Sequence, residues 1–217
     1  MMRFFGRFVL TVGALGLLAS PALAQGRGGS GGGAAGFLMA PNVQKDLKLT
    51  DTQVKKVQET LREIAERHQG DYTALRDASP DVRWTKIATL NETVSDEVKS
   101  ALSFSAEQSK RFDQIGLQAH GLNSFATRCV DDKLKLTDDQ KSKIREIAEA
   151  TRSSFASASD RDSSEQERTE ARNKRAAAHK ENMAKVQSLL TDDQKQEWQE
   201  LIGEPIHIEY PARRSNN

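Results

Sequence analysis

The sequence predicts an all-α protein: antiparallel helical hairpins in a bundle, built from two tandem copies of one helical unit and preceded by a disordered glycine-rich tether. Three observations carry this expectation. Apolar residues recur at three- and four-residue steps along most of the chain, no alternating apolar and polar run offers a central strand, and a Leu-Thr-x-x-Gln motif returns at a nearly constant interval.

The N-terminus has the parts of a secretory signal. Arg3 and Arg7 make a positive n-region, residues 8–19 an apolar stretch too short for a comfortable permanent anchor, and Ala22-Leu23-Ala24 a small-x-small ending. Residues 1–24 are therefore expected to be cleaved before Gln25, which leaves the mature chain periplasmic or secreted with no membrane span. No cysteine follows the apolar run, so a lipoprotein anchor is not expected. Residues 25–36, QGRGGSGGGAAG, have high backbone entropy and nothing to bury, and they read as a flexible tether. The Gly-Lys-Ser/Thr of a phosphate loop does not follow them.

Cleavage removes Arg3 and Arg7 from 32 Lys+Arg, leaving 30 against 31 Asp+Glu and a mature net charge of −1. A nucleic-acid binder needs a surplus of cations to displace counterions, so the balance argues against that class and no nucleic-acid partner is expected. With 36% apolar and 29% charged residues, thin helical layers fit better than a thick enzyme core. One cysteine, Cys129, rules out an internal disulfide framework. It reads as a buried small hydrophobe, with an intermolecular disulfide as the sharper alternative.

The repetition is specific. Leu47-Lys48-Leu49-Thr50-Asp51-Thr52-Gln53 returns as Leu134-Lys135-Leu136-Thr137-Asp138-Asp139-Gln140, so Gln53 and Gln140 are 87 residues apart. Phe104-Ser105-Ala106-Glu107-Gln108 returns as Leu190-Thr191-Asp192-Asp193-Gln194, where Gln108 and Gln194 are 86 apart. Val43 with Val130, Leu61 with Ala148, Phe112 with Trp198 and Ile115 with Leu201 extend the match. The expected units are residues 38–122 and 125–203, joined by a short segment at residues 123–132 and followed by a tail at 204–217.

Each motif predicts a helix start. Thr50 with Gln53, Thr137 with Gln140 and Thr191 with Gln194 are capping boxes, and Ser105 with Gln108 is a softened copy. Asp51, Asp138, Asp139, Asp192 and Asp193 favour the positive end of the helix dipole. The motif leucines, Leu49 among them, are expected to anchor in the core. After the first cap, Val54, Val57, Leu61, Ile64, His68, Tyr72 and Leu75 line one helix face. Ser79-Pro80 is expected to cap and start the next helix, with Ile87, Leu90, Val94, Val98 and Leu102 inward. A third carries Phe112, Ile115, Ala119 and Leu122.

In the second unit Ile144, Ile147, Ala148, Thr151 and Phe155 line the first helix. Residues 159–164 break the pattern, and Ser164 with Glu167 caps a helix carrying Ala176, His179, Met183, Val186 and Leu190 inward. Trp198, Leu201 and Ile202 complete the last helix, which Gly203 and Pro205 stop.

Chemistry-bearing patterns are sparse. No helix places a glutamate three residues before His68, His120 or His179, so a di-iron carboxylate site is not expected, and Glu204 and His207 flank Pro205 in the tail. No HExxH, CxxC or Gly-x-Ser-x-Gly turn occurs. His68 and His179 fall on apolar seams and read as core or boundary histidines. No catalytic, cofactor or metal residue is assigned, and an enzyme is not expected.

A signal sequence, a helical mature chain and repeated Leu-Thr-x-x-Gln motifs together resemble the Spy/CpxP family of periplasmic LTxxQ proteins. Leu49, Thr50, Gln53, Leu136, Thr137, Gln140, Leu190, Thr191 and Gln194 carry the likeness, and Phe104, Ser105 and Gln108 form the copy that departs at its first two positions. The resemblance implies a role in envelope stress: an ATP-independent chaperone that cradles unfolded clients, an inhibitor of a sensor kinase, or a metal-linked relative. It also implies a curved dimer of hairpins with two motifs per chain. This chain has four motifs and no His-rich terminal segment. The expected function is non-enzymatic binding of unfolded or envelope proteins by a monomer or homodimer, without cofactor. The alternatives are a regulatory or structural partner of one envelope protein, or a metal-linked sensor.

Overall fold

The computed structural model describes residues 34–156 and 165–210. The expected signal sequence, most of the tether, the polar break at residues 159–164 with its Ser164 cap, and residues 211–217 lie outside them, as does the side chain of Phe155. The described chain is all-α. Its helices are α1 (Pro41–Asp46), α2 (Asp51–Arg67), α3 (Gln69–Asp77), α4 (Pro80–Ala101), α5 (Ala106–His120), α6 (Arg128–Leu134), α7 (Asp138–Ala156), α8 (Glu165–Leu189) and α9 (Asp192–Ile202). Short 3-10 helices occupy Gly36–Met39 and Gly121–Ala126, and no strand occurs among the described residues.

The helix starts follow the capping chemistry. Thr50, Ser105 and Thr191 hold extended backbone at the N-cap, and each accepts from the amide three residues on. Inward residues then follow the expected spacing. Val57, Leu61 and Ile64 of α2, Leu90, Val94 and Val98 of α4, and Phe112 and Ile115 of α5 are buried, and Leu102 beyond α4 joins them.

Several expectations need correction. The single helix expected through Leu75 divides at His68 (φ −96°, ψ 11°), and α3 starts at Gln69. Gly70 weakens helix propensity at the joint, and both ring nitrogens of His68 are tied down by carboxylates. Val54 is 37% exposed rather than on the seam. Ser79 stands at the N-cap of α4 but its side chain makes no capping bond. The nearby carbonyls are satisfied instead by the Arg83 guanidinium, which donates to Leu75 (2.9 Å), Arg76 (3.4 Å) and Ala78.

Two buried clusters hold the helices together. The first gathers Phe37, Val43, Leu61, Val98, Phe112 and Ile115; the second gathers Phe125, Val130, Leu134, Ile144, Val186 and Trp198. Val43 and Val130, matched in the sequence, are both fully buried. The clusters do not respect the expected boundaries. Leu117 and Leu122, assigned to the first unit, belong to the second cluster, against which Trp84 of α4 also packs. Ile206 and Ile208, assigned to the tail, are buried in the first.

Residues 34–36 and the joint pack more closely than composition implies. Ala35, counted in the tether, is buried, and the Ala34 amide donates to the Tyr72 hydroxyl (3.0 Å). The joint at residues 123–132 is helical on either side of Thr127, which is extended. Ser124 is buried and donates to the Leu117 carbonyl (2.6 Å), while Phe125 stacks on Trp198 at 4.5 Å between ring centres. The third helix stops at His120 before reaching Leu122, because Gly121 turns the chain with φ +56°. A Cβ there would lie 2.4 Å from Cε1 of His179, so only glycine fits.

Candidate functional site

The four motifs meet in pairs. In the first half the Gln53 side-chain amide accepts from the Thr50 backbone (2.9 Å), while the Thr50 hydroxyl accepts from the Gln53 backbone (3.3 Å). Gln108 and Ser105 make the same box at 3.0 and 3.2 Å. The two glutamines then bond each other reciprocally: Gln53 Nε2 donates to Gln108 Oε1 (3.0 Å) and Gln108 Nε2 to Gln53 Oε1 (3.1 Å). Gln53 Nε2 also donates to the Leu102 carbonyl (3.1 Å), and Gln108 Nε2 to those of Leu47 and Lys48 (3.3 and 3.2 Å). A glutamine amide has two donors and two acceptor lone pairs, and in Gln53 all four are engaged.

The arrangement recurs in the second half. Thr137 with Gln140 and Thr191 with Gln194 close their boxes at 3.0 to 3.2 Å. Gln140 Nε2 donates to Gln194 Oε1 (2.7 Å) and Gln194 Nε2 to Gln140 Oε1 (3.1 Å). Their second amide hydrogens go to the carbonyls of Leu189 (2.8 Å) and Leu134 (3.0 Å).

A local backbone feature presents these carbonyls. Lys48, Ser103 and Lys135, each two residues before a cap, have φ near +50°, a region non-glycine residues seldom occupy. The left-handed residue turns the chain from the preceding helix into the next cap. The fourth motif lacks it. Leu189, the last residue of α8, is separated from Thr191 by Leu190 alone. That missing residue accounts for intervals of 87 in one pair and 86 in the other.

The first motif positions are apolar anchors of unequal depth. Leu136 and Leu190 are buried, while Leu49 is half-buried against the first cluster. Phe104, in the divergent copy, sets its ring edge-on to Phe112 at 5.4 Å. All twelve motif residues thus contribute to helix starts, amide pairing or packing.

The remaining chemistry-bearing side chains are dispersed. His68 bridges Asp71 through Nδ1 and Glu97 through Nε2, both at 2.9 Å, and these hydrogen bonds raise its pKa above 6.5. His120 contacts the Ala34 carbonyl (2.7 Å) and His179 backs onto Gly121; burial lowers the pKa of both. His207 is exposed. Cys129 is exposed at the start of α6, not buried, because Val130 beside it takes the inward position. Among the described residues no group of three or more His, Cys, Asp or Glu is placed to hold a metal ion, and no helix is long and apolar enough to cross a membrane.

Sequence reasoning found the twelve motif residues and their caps but not the pairing of their glutamines. The signal was the spacing itself: a second motif follows each first at 55 and 54 residues, the length of a helical excursion that returns to its start. It also missed Asn42, Arg111 and Gln118, which grip the extended chain after α9. No family model, curated protein or solved structure matches this chain.

Proposed function

We propose that the protein is a non-enzymatic binding protein of the cell envelope, exported by its N-terminal signal, that holds unfolded or envelope proteins without nucleotide or metal. The observation that carries this is the closure of the motifs on themselves. The motif amides face one another and nearby carbonyls, so the repeated element serves as a frame and recognition falls to the helix surfaces. Those surfaces mix charge with scattered apolar side chains, including Val54 and Val82, which suits weak contacts with many sequences. The likeness to the Spy/CpxP proteins points the same way. Four motifs in one chain match the number in a two-chain family cradle, so a monomer is proposed to suffice.

The test is light scattering with several unrelated clients diluted from denaturant. A chaperone suppresses aggregation of most of them at near-equimolar ratio and without ATP. Suppression of none, with capture of a single envelope protein, assigns the regulatory role instead. Mass spectrometry of the native protein should find a chain beginning at Gln25, and an intact Met1 in the membrane fraction contradicts export.

A further inference from the structure

The chain after α9 is bound as a separate peptide would be. Gly203 (φ +60°) turns it out of the helix, and a Cβ there would lie 2.5 Å from the Gln114 amide, so the turn is pressed against α5. Residues 204–210 then run extended over the first half, with Ile206 and Ile208 buried and His207 and Glu209 exposed between and beyond them. The two isoleucines enter the cluster that contains Val43, Phe112 and Ile115.

The polar grip on this strap is made to its backbone. Arg111 donates to the Glu204 carbonyl (2.8 Å) and is itself steadied by Asp46 (2.6 Å). Gln118 donates to the Glu204 carbonyl (3.0 Å) and accepts from the Ile206 amide (2.9 Å). Asn42 donates to the His207 carbonyl (2.5 Å) and accepts from the Glu209 amide (3.1 Å). Side-chain amides and a guanidinium thus replace the neighbouring strand of a sheet, while apolar space is provided for two alternate side chains, Ile206 and Ile208. This is the logic of extended-peptide recognition: main-chain hydrogen bonds supply affinity, and alternate side chains supply selectivity.

We infer that the surface between α1 and α5 is a peptide-binding groove, held closed by residues 204–210, whose external occupant is an extended segment of an unfolded chain with branched aliphatic residues two apart. The inference rests on the client-binding function proposed above and adds its site and its regulation. Nothing in the polar grip reads the strap's own side chains, so another chain with the same apolar spacing satisfies it equally. Folded proteins bury such segments and unfolded ones expose them. The strap therefore competes with clients and keeps the apolar groove covered in their absence.

The test uses the full chain and a labelled heptapeptide in which Val-x-Val replaces Ile-x-Ile and every other side chain differs from the strap, followed by anisotropy. Ile206→Asp with Ile208→Asp unseats the strap, and Gly203→Val misdirects it without altering a core side chain. A strap docked nine-tenths of the time lowers the competent fraction to about one-tenth, so either variant should bind the peptide about tenfold more tightly than wild type. In the wild-type chain, which requires no variant to fold, excess peptide should speed hydrogen exchange at the amides of Ile206 and Glu209. An Asp-x-Asp peptide should do neither.

Peptide binding that leaves strap exchange unchanged places the peptide elsewhere and overturns the inference, as does equal binding of the Asp-x-Asp control. A wild-type dimer lost in both strap variants overturns it by giving the groove to the strap of a second copy. Aggregation suppression without peptide binding leaves the general function standing and removes the groove. Peptide binding without suppression keeps the groove and removes the general chaperone.

Discussion

Gln140 and Gln194 face each other across the base of the second half, each amide donating to the other's oxygen at 2.7 and 3.1 Å. Each also completes a capping box and satisfies a carbonyl at the end of the opposite helical arm. One side chain therefore ties together a helix start, its partner's helix start and the turn between them. Gln53 and Gln108 do the same in the first half.

Gln53 is buried and Gln108 half-buried, so removing one leaves its partner short of hydrogen bonds. Gln53→Ala and Gln108→Ala should each lower unfolding free energy by about 1–3 kcal/mol. The double variant should lose less than the sum, with a coupling energy on the order of 1 kcal/mol. Urea unfolding of the four proteins measures the cycle, and strict additivity would show that the pair does not act as a unit.

The caps separate from the pairing. Thr137→Ala removes the hydroxyl that accepts from the Gln140 backbone (3.2 Å), together with the γ-methyl, and leaves the Gln140–Gln194 pair in place. A loss of about 1 kcal/mol is expected by urea unfolding, the usual scale for an N-cap. Thr137→Ser, which keeps the acceptor, should recover most of it.

How much of this was legible depended on how local the cause was. Thr50, Ser105, Thr137 and Thr191 announce helix starts because the capping bond spans three residues. Val57, Leu61 and Ile64 announce their face because helical geometry repeats within a turn. The break at His68 was legible only in part: Gly70 and Asp71 are local, but the second bond to the ring comes from Glu97 of α4, 29 residues away. The burial of Ile206 and Ile208 was not legible, since their partners lie in the other half of the chain. Composition marked residues 34–36 as tether, yet Tyr72 supplies a distant hydrogen-bond partner that holds them. The glutamine pairs lie between these cases: their positions repeat visibly, but their contact is tertiary.

The histidines should pull the pH dependence of stability in opposite directions. His68, its pKa raised by the Asp71 and Glu97 hydrogen bonds, contributes stability that is fully present below its unfolded value of 6.5 and is lost as pH rises through the higher folded value. The advantage of wild type over His68→Gln should thus be larger at about pH 5.5 than at about pH 8. His179 is pushed down by burial, so its contribution is present above 6.5 and is lost as pH falls from there toward the lower folded value. His179→Gln should flatten the acid side of the profile. Unfolding midpoints across that range decide both signs.

Gly121 should tolerate no side chain. Its φ of +56° and the 2.4 Å that would separate a Cβ from His179 Cε1 act together. Gly121→Ala should cost about 1–3 kcal/mol, and a second change, His179→Ala, should relieve the steric part while leaving the backbone strain. Thermal unfolding of the two variants checks this, and a Gly121→Ala protein as stable as wild type would refute the close packing.

If the Leu-Thr-x-x-Gln motifs frame the protein and binding occurs on the surfaces they position, stability and binding should separate. Gln140→Ala probes this most directly when unfolding free energy and client protection are measured on the same preparation, well below its melting temperature. A frame role predicts a loss of about 1–3 kcal/mol in stability with protection retained while the chain stays folded. An unchanged unfolding curve together with abolished protection would make Gln140 a contact for clients and contradict the frame.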